Sequence, residues 1–527
     1  MNVLIAEPMS EAGIELFRSQ PGWNVIVSNP KDYQGCLGEA DALVVRSAVK
    51  VTREVLEKAP KLRVVGRAGV GVDNVDLAAA TAAGVVVMNT PGGNAVSVAE
   101  HAFALMLAMA RSIPQASAST RAGKWEKKKF LGNEIRGKTL GILGLGNIGR
   151  EVVRRARAFE MRVLASDPYV NPQSITDGDV ELVDMPTLLA ESDYITLHMA
   201  LTPETRHLLS RDAFARMKAG VRIVNCARGE MIDEAALAEA IRSGKVAGAA
   251  LDVFEKEPPA GSPLLEMEQV LATPHIAGST EEAQEIVGVR IARQMVDYLK
   301  SGIAMNAVNM PALTPEEYRT LAPYIDLAER LGSFAAQIAS GKPRSVHLAY
   351  FGAIADTTTH LVRNGALVGL LNRWLSHRTT LVNAMQIAAQ RGLSISESRE
   401  PKPARPDSVM VELETDTGAT AVEGAVVLGR PRLMRVDGIR CEAPLGGHLI
   451  YMKNDDVPGV IGHVGTVLGG SGINIANFSL GRRDAPLEPG GALEAVAVVE
   501  IDGTAPESVL AELKRNRAVK VAQAVTL

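Results

Sequence analysis

Residues 139–149 read Thr-Leu-Gly-Ile-Leu-Gly-Leu-Gly-Asn-Ile-Gly, and a stretch rich in arginine and alanine follows them at once. The apolar start predicts a buried strand, and the pattern after Gly149 predicts a helix. Between them, Gly144, Gly146 and Gly149 have the G-x-G-x-x-G spacing, which allows a tight turn, close approach to a pyrophosphate, and close packing of helix on strand. The N-terminus of such a helix binds phosphates.

Asp167 lies 18 residues beyond Gly149, directly after the next predicted strand, Arg162–Ser166. A carboxylate at this place accepts hydrogen bonds from both ribose hydroxyls and repels a 2'-phosphate, so NAD is favoured over NADP. A glycine-rich packing turn is the alternative interpretation, and it does not account for the strand, glycines, helix and carboxylate together. The sequence therefore predicts a Rossmann-type NAD domain.

Short β-branched runs alternate with helical patterns on both sides of this motif, through the first three hundred residues. Such alternation predicts an α/β protein whose first part has two doubly wound parallel sheets. We expect a flavodoxin-like substrate-binding domain in residues 1–97 and 283–307, and the Rossmann-type NAD domain in residues 98–282.

The pattern changes near Pro311 and Pro315, where neither period continues. Residues 308–445 are predicted to form a mixed α/β domain, interrupted by a Pro-rich segment at 401–406. Residues 446–527 have the β-α-β-β-α-β order of a ferredoxin-like module, with a Gly/Pro loop at 486–491.

The composition excludes several classes of function. The chain of 527 residues has 56 Lys+Arg against 60 Asp+Glu and a formal net charge of -4, so no basic surplus is present for nucleic-acid binding. Cys36, Cys226 and Cys441 have no zinc-site or disulfide-framework spacing, which predicts no metal and a reducing compartment. The longest apolar run, Ala102–Ala110, is about half of a bilayer span. We expect a cytoplasmic protein without a nucleic-acid or membrane partner.

Three polar residues follow predicted strands of the NAD domain: Arg228, Glu257 and His275. Ligands of doubly wound sheets bind beyond the carboxyl ends of the strands, so these side chains are expected to converge. Hydride transfer from a secondary alcohol needs a base near neutral pH, a carboxylate to orient it, and a donor pair for a substrate carboxylate. Taken alone, each residue is better explained without a function: Arg228 as a surface charge, Glu257 as a solvated loop carboxylate and His275 as a turn histidine.

Six motifs together resemble the D-isomer-specific 2-hydroxyacid dehydrogenase family, and more narrowly its long-form members that oxidise D-3-phosphoglycerate to 3-phosphohydroxypyruvate, the first step of serine synthesis. The motifs are Val45-Arg46-Ser47, the stretch from Gly66 to Asn74, the glycine turn, Cys226-Ala227-Arg228-Gly229, Asp252-Val253-Phe254 with Glu257-Pro258, and Thr273-Pro274-His275. Two alternatives stay open: a different 2-hydroxyacid dehydrogenase, such as a glyoxylate or 2-oxoglutarate reductase, and an NAD-sensing binding protein on the same scaffold.

The resemblance implies that Arg228, Glu257 and His275 are the catalytic residues, with His275 as the acid and base. It also implies a set of cofactor contacts along the NAD domain, with one residue from the other domain. These contacts are Val70, Asn147, Ile148, Asp167, Met199, Cys226, Ala227, Arg228, Asp252, His275, Ile276, Ala277 and Gly278.

Substrate binding is predicted on cations outside the NAD domain. Arg46 and Arg67 end predicted strands, and residues 124–129 form a dense positive loop, which a phosphate on the substrate would explain. A solvated charge run explains Lys128 and Lys129 equally well. The resemblance implies that Arg46, with Ser47 beside it, and Arg67 contact the substrate. It further implies that the backbone from Gly69 to Gly71 helps to hold the substrate carboxylate, and that Lys127 comes from a neighbouring subunit of a homodimer or homotetramer.

The C-terminal module resembles an ACT domain, which often binds an amino acid at a subunit interface. Its turn is Asp456-Val457-Pro458-Gly459, followed by Gly472-Ile473-Asn474-Ile475. The resemblance implies an L-serine effector with Asp456 and Asn474 as polar contacts, whereas Asn454 stands where relatives carry Tyr or His. Residues 308–445 resemble the intervening regulatory domain of the long form by position.

Overall fold

The computed structural model describes residues 1–171, 173, 180–375, 378–401, 406–485 and 492–527. The middle of the predicted Pro-rich segment, residues 402–405, and the whole predicted Gly/Pro loop at 486–491 lie outside the described residues. The described residues contain four sheets, and helices pack on each of them.

The first sheet is parallel and has the strand order β2-β1-β3-β4-β5. Four of its strands, β1, β3, β4 and β5, are largely buried and have continuous apolar runs, whereas β2 at the edge of the sheet is partly exposed. The predicted flavodoxin-like domain is confirmed, since this order is the flavodoxin-like one. The elements are β1 (Asn2–Ile5), α1 (Glu11–Arg18), β2 (Asn24–Val27), β3 (Ala42–Val45), α2 (Arg53–Glu57), β4 (Val64–Arg67), α3 (Leu77–Ala82) and β5 (Val86–Met88).

The second sheet is also parallel, with the order β12-β11-β10-β9-β6-β7-β8. The order reverses between β6 and β9, which is the switch point of a Rossmann-type sheet. The strands are β6 (Thr139–Leu143), β7 (Arg162–Ser166), β8 (Glu181–Leu182), β9 (Tyr194–Leu197), β10 (Val221–Asn225), β11 (Val246–Leu251) and β12 (Val270–Ala272). The helices are α4 (Ala95–Ala110), α5 (Ile113–Arg121), α6 (Asn147–Ala158), α7 (Met185–Glu191), α8 (Arg211–Arg216) and α9 (Glu234–Arg242).

Two chain crossings join these sheets. The chain enters the second sheet through α4 and returns through α10 (Glu281–Ser301), which packs on α1 and β4 of the first. At the crossings the hydroxyl groups of Ser97 and Thr280 lie 2.8 Å apart, and Thr280 also caps α10 by accepting from the Ala283 amide. The two chain crossings therefore lie next to each other, and this contact links the two parts of the chain where they meet.

Helix α4 is strongly apolar and largely buried against the second sheet. In the described part of the chain no single helix is long and apolar enough to cross a membrane. The pair α4 and α5 reaches that length and composition only jointly, with a bend of 62° between the two helices.

The third sheet is mixed, with the order β14-β13-β15-β16-β17-β18, and the fourth is antiparallel, with the order β20-β21-β19-β22. The third has α11 (Pro315–Ile338), β13 (Pro343–Phe351), α12 (His360–Trp374), α13 (Ala384–Gln390), β14 (Ser394–Glu400), β15 (Ser408–Thr415), β16 (Gly418–Val427), β17 (Arg430–Val436) and β18 (Ile439–Pro444). The fourth has β19 (His448–Asp455), α14 (Val460–Gly470), β20 (Ile475–Arg482), β21 (Glu494–Ile501), α15 (Glu507–Leu513) and β22 (Val519–Thr526), which confirms the ferredoxin-like order.

One apolar core joins the third and fourth sheets. Leu449, Tyr451 and Val498 of the fourth sheet are buried in the same cluster as Phe334 and the other core residues of α11. The rings of Phe334 and Tyr451 meet edge to face, with centroids 5.9 Å apart. Such a continuous core makes the two C-terminal sheets one packed unit, although the domain boundaries themselves stay predictions.

Helices α11 and α12 cross with their backbones in close contact. A Cβ atom at Gly332 would overlap the carbonyl oxygen of Ala366, and one at Gly369 would overlap that of Glu329. Glycine is therefore required at this crossing for space rather than for backbone freedom.

We predict that Gly332→Ala destabilises this C-terminal unit by about 1–3 kcal/mol, because overpacking forces the helices apart. The matched control is Gly465→Ala on α14, where no heavy atom lies within 4 Å of the added Cβ atom. That substitution should be neutral or stabilise by up to about 1 kcal/mol, since alanine favours helices. Urea unfolding followed by circular dichroism measures both, and an unchanged midpoint for Gly332→Ala would contradict the close crossing.

Candidate active site

The carboxyl ends of the two parallel sheets face each other across a cleft. Two adjoining cavities fill it, one of about 430 Å³ on the side of the second sheet and one of about 350 Å³ on the side of the first. Arg67, Asn94, His275 and Gly278 line both cavities. A ligand spanning the two would therefore meet groups from both sheets.

The glycine turn has the geometry that its sequence predicts. Gly144 has a φ of 95°, and a Cβ atom there would lie 2.7 Å from the carbonyl oxygen of His198. A Cβ atom at Gly149 would overlap the Gly144 carbonyl, so the third glycine allows α6 to pack on β6. No atom lies within 4 Å of a Cβ atom at Gly146, which caps α6 and leaves room for a phosphate at the helix N-terminus.

Asp167 lies directly after β7, and backbone amides fix its carboxylate. Its two oxygens accept from the Leu145 amide at 2.8 Å and the Tyr169 amide at 2.9 Å. Each oxygen retains a second lone pair, so the carboxylate is oriented and still available to ribose hydroxyls.

His275 and Glu257 form a hydrogen-bonded pair in the cleft, with 2.8 Å between Nδ1 and Oε2. The hydrogen bond to Glu257 raises the pKa of His275 above its ordinary value, although partial burial and the charge of Arg228 oppose the rise. Burial raises the pKa of Glu257, but its contacts with His275, the Phe254 amide and Arg228 outweigh burial and lower it overall. Since Nδ1 contacts the carboxylate, the nitrogen available for proton exchange is Nε2.

Asp252 supports the loop that carries His275. It is fully buried, and its carboxylate accepts from the amides of Ile276 and Ala277 and from the hydroxyl of Thr273. The His275 backbone has a φ of 54°, a left-handed conformation that costs on the order of 1–3 kcal/mol and needs such support. Asp252 therefore lies beneath the cavity wall rather than on it.

Arg228 reaches across the cleft from the loop after β10. Its Nε and Nη2 donate to one oxygen of Asp73 at 2.9 and 2.7 Å, and its Nη1 donates to the Ala227 carbonyl at 2.7 Å. Asn225 shapes this loop by accepting from the Ala227 amide and donating to the Arg228 carbonyl.

Arg67 and Arg46 line the smaller cavity from the first sheet. Burial and the nearby charge of Arg228 lower the pKa of Arg67 to about 10, so its guanidinium stays charged at neutral pH. The buried carboxylate of Glu7 holds the adjoining loop by accepting from the amides of Arg46, Ala48 and Val49.

Three buried polar atoms on the cavity walls have no protein partner among the described residues: Nε of Arg67, Oδ1 of Asn94 and Nδ1 of His198. Burial lowers the pKa of His198 to about 3, so this imidazole is neutral, with Nε2 placed 2.9 Å from the Thr196 hydroxyl. A buried polar group without a partner is costly, so these atoms fit a site completed by polar ligands. The residues present therefore fit a dinucleotide in the larger cavity.

The structure gathers most of the predicted site residues at the cleft. The larger cavity is lined by Val70, Gly71, Asn147, Ile148, Met199, Cys226, Ala227, Arg228, His275, Ala277 and Gly278, and the smaller by Arg46, Ser47, Arg67, Gly69, Glu257, His275 and Gly278. Off these walls lie Gly144, Gly146, Gly149 and Asp167 in the phosphate and ribose region, Asp252 beneath the loop, and half-exposed Ile276. The Gly69 amide donates to the Arg67 carbonyl.

Lys127 does not line either cavity of its own chain. It belongs to an exposed 3₁₀ segment, Lys127–Phe130, and its ammonium lies 5.6 Å from the centre of the Trp125 ring. The predicted positive loop is thus not part of the cleft that the same chain forms.

Sequence reasoning missed several cavity residues, among them Asn94, Ser279 and Gln284. Asn94 immediately precedes α4, and the other two flank the start of α10, so all three lie where the chain crosses between the sheets. A prediction of both crossings next to the cleft would have identified them.

Comparison with known proteins identifies the family. Residues 103–277 match the NAD-binding domain of the D-isomer-specific 2-hydroxyacid dehydrogenases, residues 320–437 the D-3-phosphoglycerate dehydrogenase intervening domain, and residues 448–518 the ACT domain. The chain is 42% identical to the D-3-phosphoglycerate dehydrogenase of Methanocaldococcus jannaschii, with 100% of both sequences covered. It is 44% identical to that of Archaeoglobus fulgidus, with 98% of both covered. The chain belongs to the D-3-phosphoglycerate dehydrogenase family.

A solved structure has a similar fold over the part of the chain that forms the first two sheets. The NAD-dependent formate dehydrogenase of Staphylococcus aureus in complex with NAD is 31% identical, with a TM-score of 0.52, and the match covers 57% of this chain and 96% of that one. The predicted NAD domain, ACT domain and family are confirmed.

We predict that Glu257→Gln moves the pH profile of kcat/KM for alcohol oxidation to lower pH. In its predicted role as the base, His275 must be neutral for oxidation, so the rate should rise with pH through the pKa of this imidazole. Loss of the Glu257 charge lowers that pKa. The control is Glu255→Gln, whose carboxylate pairs with His207 instead. A midpoint equal to that of the parent enzyme would contradict the coupling.

Proposed function

We propose that this protein oxidises D-3-phosphoglycerate to 3-phosphohydroxypyruvate with NAD, the first step of L-serine biosynthesis, in the cytoplasm. One observation carries the proposal: Arg46 and Arg67 line the same small cavity as the His275–Glu257 pair, next to the cavity that fits a dinucleotide. A doubly anionic phosphate and a carboxylate on one short substrate require several cations beside the reacting carbon. The reduced cysteines support a reducing compartment.

The catalytic roles follow from the geometry of the cleft. Arg228 binds the substrate carboxylate through the N–H groups that the protein leaves free, and the Nε2 atom of neutral His275 accepts the hydroxyl proton. Held in the larger cavity, NAD would supply the hydride acceptor for the carbon that carries this hydroxyl group. Glu257 stabilises the imidazolium that forms, and during reduction His275 returns the proton to the carbonyl oxygen.

Cofactor binding is assigned to the walls of the larger cavity and to the glycine turn. Val70 contributes from the first sheet, while Asn147 and Ile148 begin α6 at the phosphate position. Asp167 is placed to accept from ribose hydroxyls, and its negative charge disfavours a 2'-phosphate.

A second copy of the chain completes the substrate site in this proposal. Lys127 contacts the exposed Trp125 ring and lines neither cavity of its own cleft, as expected of a loop that inserts into a neighbour. A homodimer or homotetramer would then supply Lys127 to the substrate phosphate.

The ACT module is proposed to bind L-serine as an effector. A cavity of about 370 Å³ beside the turn is lined by Asp456 and Arg482, and the buried Asn454 contributes an unpartnered Oδ1. Within one chain Asp456 and Asn474 lie at opposite ends of β21, roughly 25 Å apart for eight strand residues. Both residues contact one ligand only if two modules pair, which supports an effector site between subunits.

The test of the proposed function is a substrate panel. We expect oxidation of D-3-phosphoglycerate with NAD to exceed that of unphosphorylated 2-hydroxy acids, and the reverse reaction with glyoxylate or 2-oxoglutarate to be weak. His275→Ala should retain NADH binding and lower kcat by about 100- to 10,000-fold. Preference for an unphosphorylated acid would establish a different dehydrogenase, and NADH binding without turnover of any substrate would establish an NAD sensor.

Lys127→Ala should raise KM for D-3-phosphoglycerate far more than for an unphosphorylated acid, because a charge-assisted contact contributes on the order of 1.5 to 3 kcal/mol. Lys129→Ala, two residues away, is the matched control. Mixing Lys127→Ala with His275→Ala subunits should restore activity, since the site with intact His275 receives Lys127 from the other chain. Absence of complementation in proven heterodimers would place Lys127 outside the neighbour's site.

A further inference from the structure

We propose that Asp73 is a positioning residue of the reaction, which holds Arg228 across the cleft so that the end of the guanidinium group faces the substrate carboxylate. The inference rests on the proposed function and adds a residue to it. Asp73 lies on the loop after β4 of the first sheet, whereas Arg228 follows β10 of the second.

The hydrogen bonds define how the guanidinium is oriented. Asp73 accepts from Nε and Nη2, which form one edge of the group, and the Ala227 carbonyl accepts from Nη1. A guanidinium has five N–H groups, so one remains on Nη1 and one on Nη2. The end of the guanidinium, where Nη1 and Nη2 lie side by side, faces away from Asp73, and this end is one at which a carboxylate binds bidentately.

Space for this contact is provided by Gly71. A Cβ atom at Gly71 would overlap Nη2 of Arg228 and would lie 2.8 Å from the Asp73 carboxylate. Any side chain at residue 71 would therefore displace the guanidinium from Asp73.

This ion pair orients the Arg228 side chain and contributes little to the folding stability of the protein. The Asp73 side chain is 62% exposed, and exposed ion pairs contribute little to folding. Its contribution is local, because the charge of Arg228 disfavours the charged form of nearby Arg67 and the charge of Asp73 favours it. Without Asp73, Arg67 would push the Arg228 side chain away from its present place.

The same charge reaches the catalytic base. Arg228 opposes protonation of His275, as any nearby cation does. Asp73 offsets part of the positive charge of Arg228. We therefore expect Asp73 to keep the His275 imidazole more basic without contacting it.

The test compares Asp73→Asn with Asp76→Asn. Asparagine retains the size of aspartate and removes its charge. Asp76 is three residues away and caps α3 by accepting from the Ala79 amide, a function that asparagine also performs. The control therefore reports what the same substitution does in the same loop without contact to Arg228.

For Asp73→Asn we expect kcat for D-3-phosphoglycerate oxidation to fall about 10- to 100-fold, as a misplaced binding group does, with a smaller change in KM. The rising limb of kcat/KM should move to lower pH, because uncompensated Arg228 lowers the pKa of His275. The melting temperature and NADH affinity should match those of the parent enzyme. In an Arg228→Lys background the same substitution should cost much less, because residues that act through one another are not additive.

Each of the other results would overturn the inference. Parent-like kcat and pH profile in Asp73→Asn would show that Arg228 needs no such contact. Equal losses in the parent and Arg228→Lys backgrounds, or a lowered melting temperature with an unmoved pH profile, would show a structural role for Asp73. Failure of the proposed function is a separate outcome: in that case the parent enzyme itself does not oxidise D-3-phosphoglycerate.

Discussion

Parallel strands all end at one edge of their sheet, and the candidate active site depends on this constraint. Two such sheets face each other here, so the loops after β3 and β4 oppose the loops after β6, β10 and β12. Each sheet contributes part of the chemistry: Arg46 and Arg67 from the first, and His275 with its carboxylate partner from the second. The crossings near Ser97 and Thr280 keep the two edges opposed.

Charge is unusually concentrated in this cleft. Burial lowers the pKa of Arg67, and the positive charge of nearby Arg228 lowers it further. Several positive charges close together raise the free energy of the protein alone, and bound anions lower that free energy. Among the described residues, Asp73 and Glu7 offset the charge of Arg67, while Asp73 contacts Arg228 and Glu257 contacts His275. Two carboxylates at the cleft, Asp73 and Glu257, therefore also orient the side chain that each contacts.

The C-terminal half is connected to this cleft by packing rather than by a shared cavity. The ACT module shares one apolar core with the preceding mixed sheet, so the two form one packed unit. That unit contacts the first sheet through Thr380 and Asn383, which donate to the carbonyls of Gly84 and Ala82 just before β5. The loop after β5 then contacts the cofactor wall, because Asn89 donates to the carbonyl of Val70 at 2.5 Å. The unit that contains the ACT module therefore contacts the part of the chain that forms the first sheet directly.

The sequence by itself determined the two parallel sheets, the glycine turn, NAD as the cofactor, and the convergence of Arg228, Glu257 and His275. These features depend on local pattern, since apolar runs, glycine spacing and strand ends are properties of neighbouring residues. Tertiary structure alone decided that Arg228 pairs with Asp73, which lies 155 residues away, that Asp252 is buried beneath its loop, and that the last two sheets share a core. Contacts of this kind depend on the distance between packed elements, which hydrophobic periodicity does not encode.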